Sequence, residues 1–436
     1  MSSVEIGLWS FPVLILLIFL RVPIAAAMLG TGVIGTFLVL GKWTPILSQL
    51  KALPWSTNAN YSLSIIPLFL LMGQFAARGG MSQALFNAAA AFLGHRKGGV
   101  AMAAVGACAG FGSICGSSLA TAATMAQVAL PELKRNGYDG GLATATLAAG
   151  GTLGILIPPS VVLVIYAILA EQNIAKLFLA AFVPGIIAAI SYLLVIAIYV
   201  RLKPESAGQA KRIPWAERVP ALIAVWPVVA IFFLVVGGIY LGWFTPTQAA
   251  AIGATGAGLV AWQAGGLSKG ALFDCFKETA VSTGMIFFIV LGASVFNSFL
   301  AFSRLPQLGA EWVTAQGFAP MTVLIIILIL YIIFGCIMDS LSMIILTIPI
   351  FFPIVTAMDF GLSPEHFAIW FGILVLMVAE IGMITPPVGL NLFIISAMAK
   401  DVPMRETYKG ITPFVTADLL RIILLTAFPI ISIFLV

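Results

Sequence analysis

Two short stretches concentrate flexible and polar residues inside otherwise apolar sequence. Gly112-Ser113-Ile114-Cys115-Gly116-Ser117-Ser118 puts two glycines and three hydroxyls together, and Gly335-Cys336-Ile337-Met338-Asp339-Ser340-Leu341-Ser342 adds a carboxylate. Backbone that leaves the helical pattern at membrane depth is tolerated only where protein buries it or water reaches it. Each stretch is therefore expected to break its helix or to turn back as a re-entrant hairpin. A membrane-embedded aspartate is costly unless it meets water, a cation or a partner. Asp339 reads either as an N-cap of the second hairpin arm or as a cation ligand, and both readings stay open.

Two proline pairs mark a second kind of break, in Gly154-Ile155-Leu156-Ile157-Pro158-Pro159-Ser160 and in Gly382-Met383-Ile384-Thr385-Pro386-Pro387. Proline has no N–H to donate and its ring clashes with the preceding turn, so carbonyls near each pair lose their helical donors. Free carbonyls can ligate a small cation. The half-helices that start at such breaks aim N–H groups and positive dipole ends inward, which can hold a carboxylate without a formal positive charge. Placed at the membrane midplane, one half-site per repeat is the layout of a secondary transporter.

The elements that carry these motifs are membrane helices. Apolar residues make up 61% of the 436 positions and charged ones 8%, a balance no soluble domain has. Runs such as Met321 to Ile333, Ala221 to Tyr240 and Val161 to Leu169 lack the alternation of a barrel strand, which leaves an all-α polytopic bundle. At about 20 apolar residues per helix, the length allows roughly ten to twelve spans. Ile6 to Leu20 follows Glu5 instead of a basic cluster and is read as the first span, not a signal peptide. The net charge of +5 resides in short gaps between apolar runs, as positive-inside topology requires, and gives no reason to invoke nucleic acid. The four cysteines have no CxxC spacing and indicate neither disulfides nor a metal site.

One hydrophilic stretch, Arg201 to Arg218, divides the chain and is expected to be a cytoplasmic connector between a first membrane repeat, 1–200, and a second, 219–436. The halves resemble each other. Phe111 to Ser117 matches Phe334 to Ser340, Thr124 then matches Thr347 in register, and Gly154 to Pro159 matches Gly382 to Pro387 in the same order. These pairs imply an internal duplication. With a cytoplasmic connector and an external N-terminus, the first half crosses an odd number of times and the second runs inverted.

On these residues, together with Ile66-Pro67-Leu68-Phe69-Leu70-Leu71-Met72-Gly73 and Ile384 to Asn391, the chain resembles the DctM-like large membrane subunit of tripartite ATP-independent periplasmic (TRAP) transporters. The resemblance spans essentially the whole sequence. It implies a sodium-coupled importer of a small organic anion in a bacterial or archaeal inner membrane, with two inverted repeats, two hairpins and an elevator-like mobile domain. It also implies a small four-helix DctQ-like membrane subunit, expected as a separate polypeptide, and a soluble periplasmic DctP-like binding protein. Carried over position by position, Gly112, Ser113, Gly116, Ser117, Gly154 and Pro158 would form the first sodium site. Gly335, Asp339, Ser342, Gly382, Thr385, Pro386 and Gly389 would form the second. Ser117, Ser118, Asp339, Ser340 and Asn391 would meet the substrate. Because Ile157 stands where the second half has Thr385, a hydroxyl ligand is expected only at the second site.

Plainer readings apply to other residues. Trp9, Trp43, Trp55, Trp243 and Trp312 end apolar runs and read as interfacial anchors. Arg21 and Arg304 read as snorkelling side chains, His95 as a solvated loop residue, His366 as part of a helix start, and Glu380 either as a partner of a basic residue or as a neighbour of the ion route. The serine cluster raises an intramembrane protease as a rival, but no histidine or lysine in the sequence is embedded near it to act as base. A channel or another ion-coupled anion carrier is the milder alternative. Which anion is carried is not legible.

Overall fold

The computed structural model describes all 436 residues. The chain is built from helices, each started and stopped by local chemistry. Ser2, Thr245 and Ser363 cap helix N-termini with their hydroxyls, and left-handed glycines such as Gly41 and Gly116 end others. The first half runs α1 (Ser3–Phe19), α2 (Ile24–Leu40), α3 (Thr44–Asn58), α4 (Ile65–Arg78), α5 (Met81–Leu93), α6 (Gly99–Cys115), α7 (Ser118–Arg135), α8 (Gly140–Leu156), α9 (Val161–Leu169) and α10 (Ile174–Leu202). The second half runs α11 (Trp215–Tyr240, with a π-helical stretch at Phe233–Gly237), α12 (Pro246–Gln263), α13 (Lys269–Ser303), α14 (Leu305–Ala315), α15 (Pro320–Gly335), α16 (Ser340–Thr356), α17 (Pro364–Met383), α18 (Leu390–Met398) and α19 (Met404–Ala427).

The expected ten to twelve full spans are not what the helices provide. Six are long and apolar enough to cross a membrane, or seven if α8 and α9, bent by 46° at Ile157–Ser160, count as one. Three of the four hairpin arms are shorter than that, because the Gly, Asp and Pro breaks interrupt the apolar runs first. Both expected hairpins form: α6 turns into α7 across Gly116–Ser117, and α15 into α16 across Cys336–Asp339.

Two groups of contacts organise the bundle. In one, α2 lies along α13 and α4 along α12. In the other, α8 is enclosed by α6, α7 and α19, and α17 packs against α15 and α16. The apolar stretch of α17 is 94% buried, so it is a central strut and not a lipid-facing helix. Trp370 on α17 donates its indole N–H to the Leu425 carbonyl on α19 at 2.9 Å, which satisfies the one polar atom of a fully enclosed ring.

The connector is pinned across one end of the bundle. The Asp139 N–H donates to the Ser206 carbonyl at 2.8 Å and the Ala210 N–H to the Gly94 carbonyl at 3.1 Å. Arg218, for all its charge, is buried between the rings of Trp215 and Phe92. Burial, followed by Arg218, Arg212 and Arg96, holds the nearby His95 imidazole below its ordinary value. The five tryptophans read as anchors are all exposed. Arg21 and Arg304 sit in left-handed turns between helices.

Candidate functional site

At the first break, α6 and α8 touch through their glycines. A Cβ added to Gly112 would stand 2.5 Å from the Gly154 Cα, and one added to Gly154 would stand 2.4 Å from the Thr121 hydroxyl and 2.8 Å from the Ser117 carbonyl. No larger side chain fits either place. The prolines at 158 and 159 leave the carbonyls of Gly154 and Ile155 without their usual donors. Thr121 Oγ is fully buried and has no hydrogen-bond partner beyond the weakly polar Cys115 thiol beside it. An unpaired buried hydroxyl beside unpaired carbonyls suits an oxygen-ligated cation. Sequence reasoning missed Thr121, because its neighbours at the break come from another helix. Of the residues expected here, Gly112, Gly116, Ser117 and Gly154 are brought together at the break that the buried Pro158 helps to make, whereas the Ser113 hydroxyl turns back to the Gly110 carbonyl at 2.8 Å.

The second break repeats the contact: a Cβ on Gly382 would lie 2.5 Å from the Gly335 Cα. Gly389, left-handed at φ 65°, is ringed by the carbonyls of Met383 and Thr385, and its N–H donates to the Cys336 carbonyl at 3.1 Å. The Thr385 hydroxyl donates to the Ile381 carbonyl at 2.5 Å, which leaves its lone pairs free for a cation. Asp339 caps α16, its carboxylate accepting from the Ser342 N–H at 3.0 Å and from the Ser342 hydroxyl at 2.6 Å. Asp339 and Ser342 thus bond each other at the hairpin tip.

Between the two tips lies a cavity of about 270 Å³. Ser117, Ser118, Asp339 and Ser340, four of the five residues the resemblance assigns to the substrate, line it. Asn391 does not. Its amide donates to the Ala148 carbonyl at 3.3 Å and the side chain is fully buried, because α18 starts at Gly389 and packs on α7 and α8. The opposite wall is Leu70 of α4 with Ser282, Met285 and Ile286 of α13. Ser282 was missed; the hydroxyl stripe Thr279, Ser282, Thr283 in an apolar helix was the available signal.

Three helix N-termini meet at this cavity: α7 at Ser118–Ala120, α9 at Val161–Val162 and α16 at Ser340–Leu341. Their free N–H groups and dipoles favour an anion. No lysine or arginine lines the space, while Asp339 does. Glu380, 1% exposed on α17, stands behind the tips. It pairs with no basic residue; its Oε1 accepts from Ser340 at 2.6 Å and from Ser118 at 3.5 Å.

Comparisons with known proteins agree with this architecture. The family model described as "Tripartite ATP-independent periplasmic transporter, DctM component" matches residues 11–431. A Pseudomonas aeruginosa protein named C4-dicarboxylate TRAP transporter large permease protein DctM is 38% identical over 87% of this chain and 87% of its own length. A Vibrio cholerae protein of the same name is 31% identical over 97% of this chain and 95% of its own. Other relatives are named as isethionate, ectoine and sialic acid TRAP permeases. In fold, the chain is similar to the crystal structure of the Alcanivorax borkumensis YdaH transporter, with a TM-score of 0.66 and 15% identity, covering 88% of this chain and 89% of that one.

Proposed function

Because this chain belongs to the DctM component family of the tripartite ATP-independent periplasmic transporters, and is therefore a membrane transport protein and not an enzyme, we propose that it moves a small organic anion together with sodium. The observation that carries this reading is the charge pattern of the cavity. Three helix N-termini face it, no basic side chain does, and Asp339 stands in its wall. An anion entering beside a carboxylate needs further positive charge, and sodium held at the two helix breaks supplies it.

Several observations support the finer parts. Paired glycine contacts at Gly112–Gly154 and Gly335–Gly382 fit a duplicated, inverted pair of repeats, each with one hairpin and one broken helix. The separate packing of α2 with α13 fits a scaffold past which the hairpins and broken helices move as an elevator. At the first break the ligands are the Gly154 and Ile155 carbonyls with Thr121; at the second they are the Met383 and Thr385 carbonyls with the Thr385 hydroxyl. Three relatives named as C4-dicarboxylate carriers make that class the first substrate to try. The relative named DctMQ, of which this chain covers 64%, supports a DctQ-like membrane partner. A soluble DctP-like binding protein completes the assembly in a bacterial inner membrane.

The test is uptake of labelled succinate into proteoliposomes that hold this chain and the small subunit, with the binding protein outside. Uptake is expected only with an inward sodium gradient and with the binding protein present. Flux that needs neither would favour a channel.

A further inference from the structure

Glu380 is the one buried acid in the molecule that touches both hairpins. It stands on α17 with 1% of its surface exposed. Its Oε1 accepts at 2.6 Å from the hydroxyl of Ser340, in the first turn of α16, and makes a long 3.5 Å contact with the hydroxyl of Ser118, in the first turn of α7, although these residues are 40 and 262 positions away. Both serines are themselves buried, at 1% and 2%, and both line the cavity on their other side. The buried arginine of α19, Arg421, is already paired with Asp418 at 2.8 Å, so it is not the partner of Glu380. Oε2 has no partner. In the matching register of the first half, position 152 is a threonine that bonds Tyr192 at 3.0 Å instead, so the tie is made from one side only.

We infer that Glu380 is a positioning residue that joins the two hairpin tips behind the cavity and so fixes the gap into which the anion fits. One oxygen accepting from both tips holds two helix N-termini at a set separation, and those N-termini are the groups that would hold the anion. The bridge needs an acceptor at Oε1 and no charge. Its consequence for substrate binding rests on the transport function proposed above, while its consequence for the distance between hairpins does not.

The test therefore has two readouts. Spin labels at Gln127→Cys on α7 and Thr356→Cys on α16 occupy exposed positions, whereas all four native cysteines are buried. Glu380→Gln keeps an oxygen at Oε1; Glu380→Leu keeps the bulk and removes every acceptor. The distance distribution between the labels should stay as narrow in the Gln variant as in the parent protein and should at least double in width in the Leu variant. In proteoliposomes carrying the small subunit and binding protein, the Leu variant should raise the KM for succinate roughly tenfold, with a smaller change in maximal rate. The Gln variant should restore it. A Leu variant with the parent distance distribution overturns the proposal. So does a Gln variant as disordered as Leu, because charge or a proton would then be what matters. Should the Leu variant not fold, Ser118→Ala with Ser340→Ala removes both donors and is expected to widen the distribution in the same way; an unchanged width overturns the tie. Absence of succinate uptake by the parent protein would count against the transport reading alone, since the distances remain measurable.

Discussion

The two broken helices share a motif and differ in their surroundings. At the first, Ile157, Pro158, Pro159 and Ser160 are all buried, whereas at the second Thr385 is half-buried and Pro386 and Pro387 are exposed. The first break is enclosed by α6, α7 and α10, with Gly112, Ser117 and Thr121 pressed on Gly154 and Gly185 on Leu156 and Ile157. Around the second, Tyr408 reaches over to donate to the Pro387 carbonyl at 2.7 Å. The same Gly and Pro motif thus gives one enclosed break and one open to its surroundings. The break itself follows from local sequence, but its accessibility follows from what packs on it.

The largest effect expected from this difference is steric. Gly112→Ala sets a methyl 2.5 Å from the Gly154 Cα, backbone that cannot give way, and should cost about 1–3 kcal/mol of stability and abolish uptake. Gly335→Ala meets its nearest neighbour at 3.1 Å and should cost less. Thermal unfolding of the two purified variants compares them directly, and equal losses would break the contrast between closed and open sites.

Thr121→Val separates ligation from packing. Its hydroxyl bonds nothing that stabilises the fold, so unfolding should change little, while the sodium concentration for half-maximal uptake should rise roughly tenfold. Thr385→Val should raise it by less, since the second break is open at Pro386 and Pro387 and water can take the place of the lost hydroxyl. An unchanged sodium dependence in Thr121→Val would remove the hydroxyl from the first site.

Accessibility can be read with a membrane-impermeant maleimide. Pro387→Cys should react at least about ten times faster than Pro159→Cys, whose thiol would be enclosed. Similar rates would mean that the first break is not sealed. The smallest effect is expected of Tyr408→Phe, which loses one bond at a half-exposed position and should cost under about 1 kcal/mol. It should also speed labelling at position 387.

Much of this architecture can be read from the chain. Gly112, Gly116, Pro158, Gly335 and Pro386 locate four breaks because each removes a helical requirement within its own turn. Asp339 as a cap is equally local. Fewer helices reach full span length than hydropathy implies, because hydropathy does not say that a helix stops at Gly335 or Cys115. Thr121 and Ser282 were missed for another reason: their importance comes from facing α8 or the hairpin tips, contacts between helices that no window along the sequence contains. Asn391 shows the converse. It lies in the motif, yet the turn at Gly389 points it at Ala148.

In the proposed transport cycle the cavity binds an anion only in company with cations at the two breaks. Simultaneous uptake of radiosodium and labelled succinate into proteoliposomes holding the two membrane subunits, with the binding protein outside, tests it most directly. Sodium entry is expected to require succinate and to stay in fixed ratio to it across sodium concentrations. Undiminished succinate entry in sodium-free medium would contradict it.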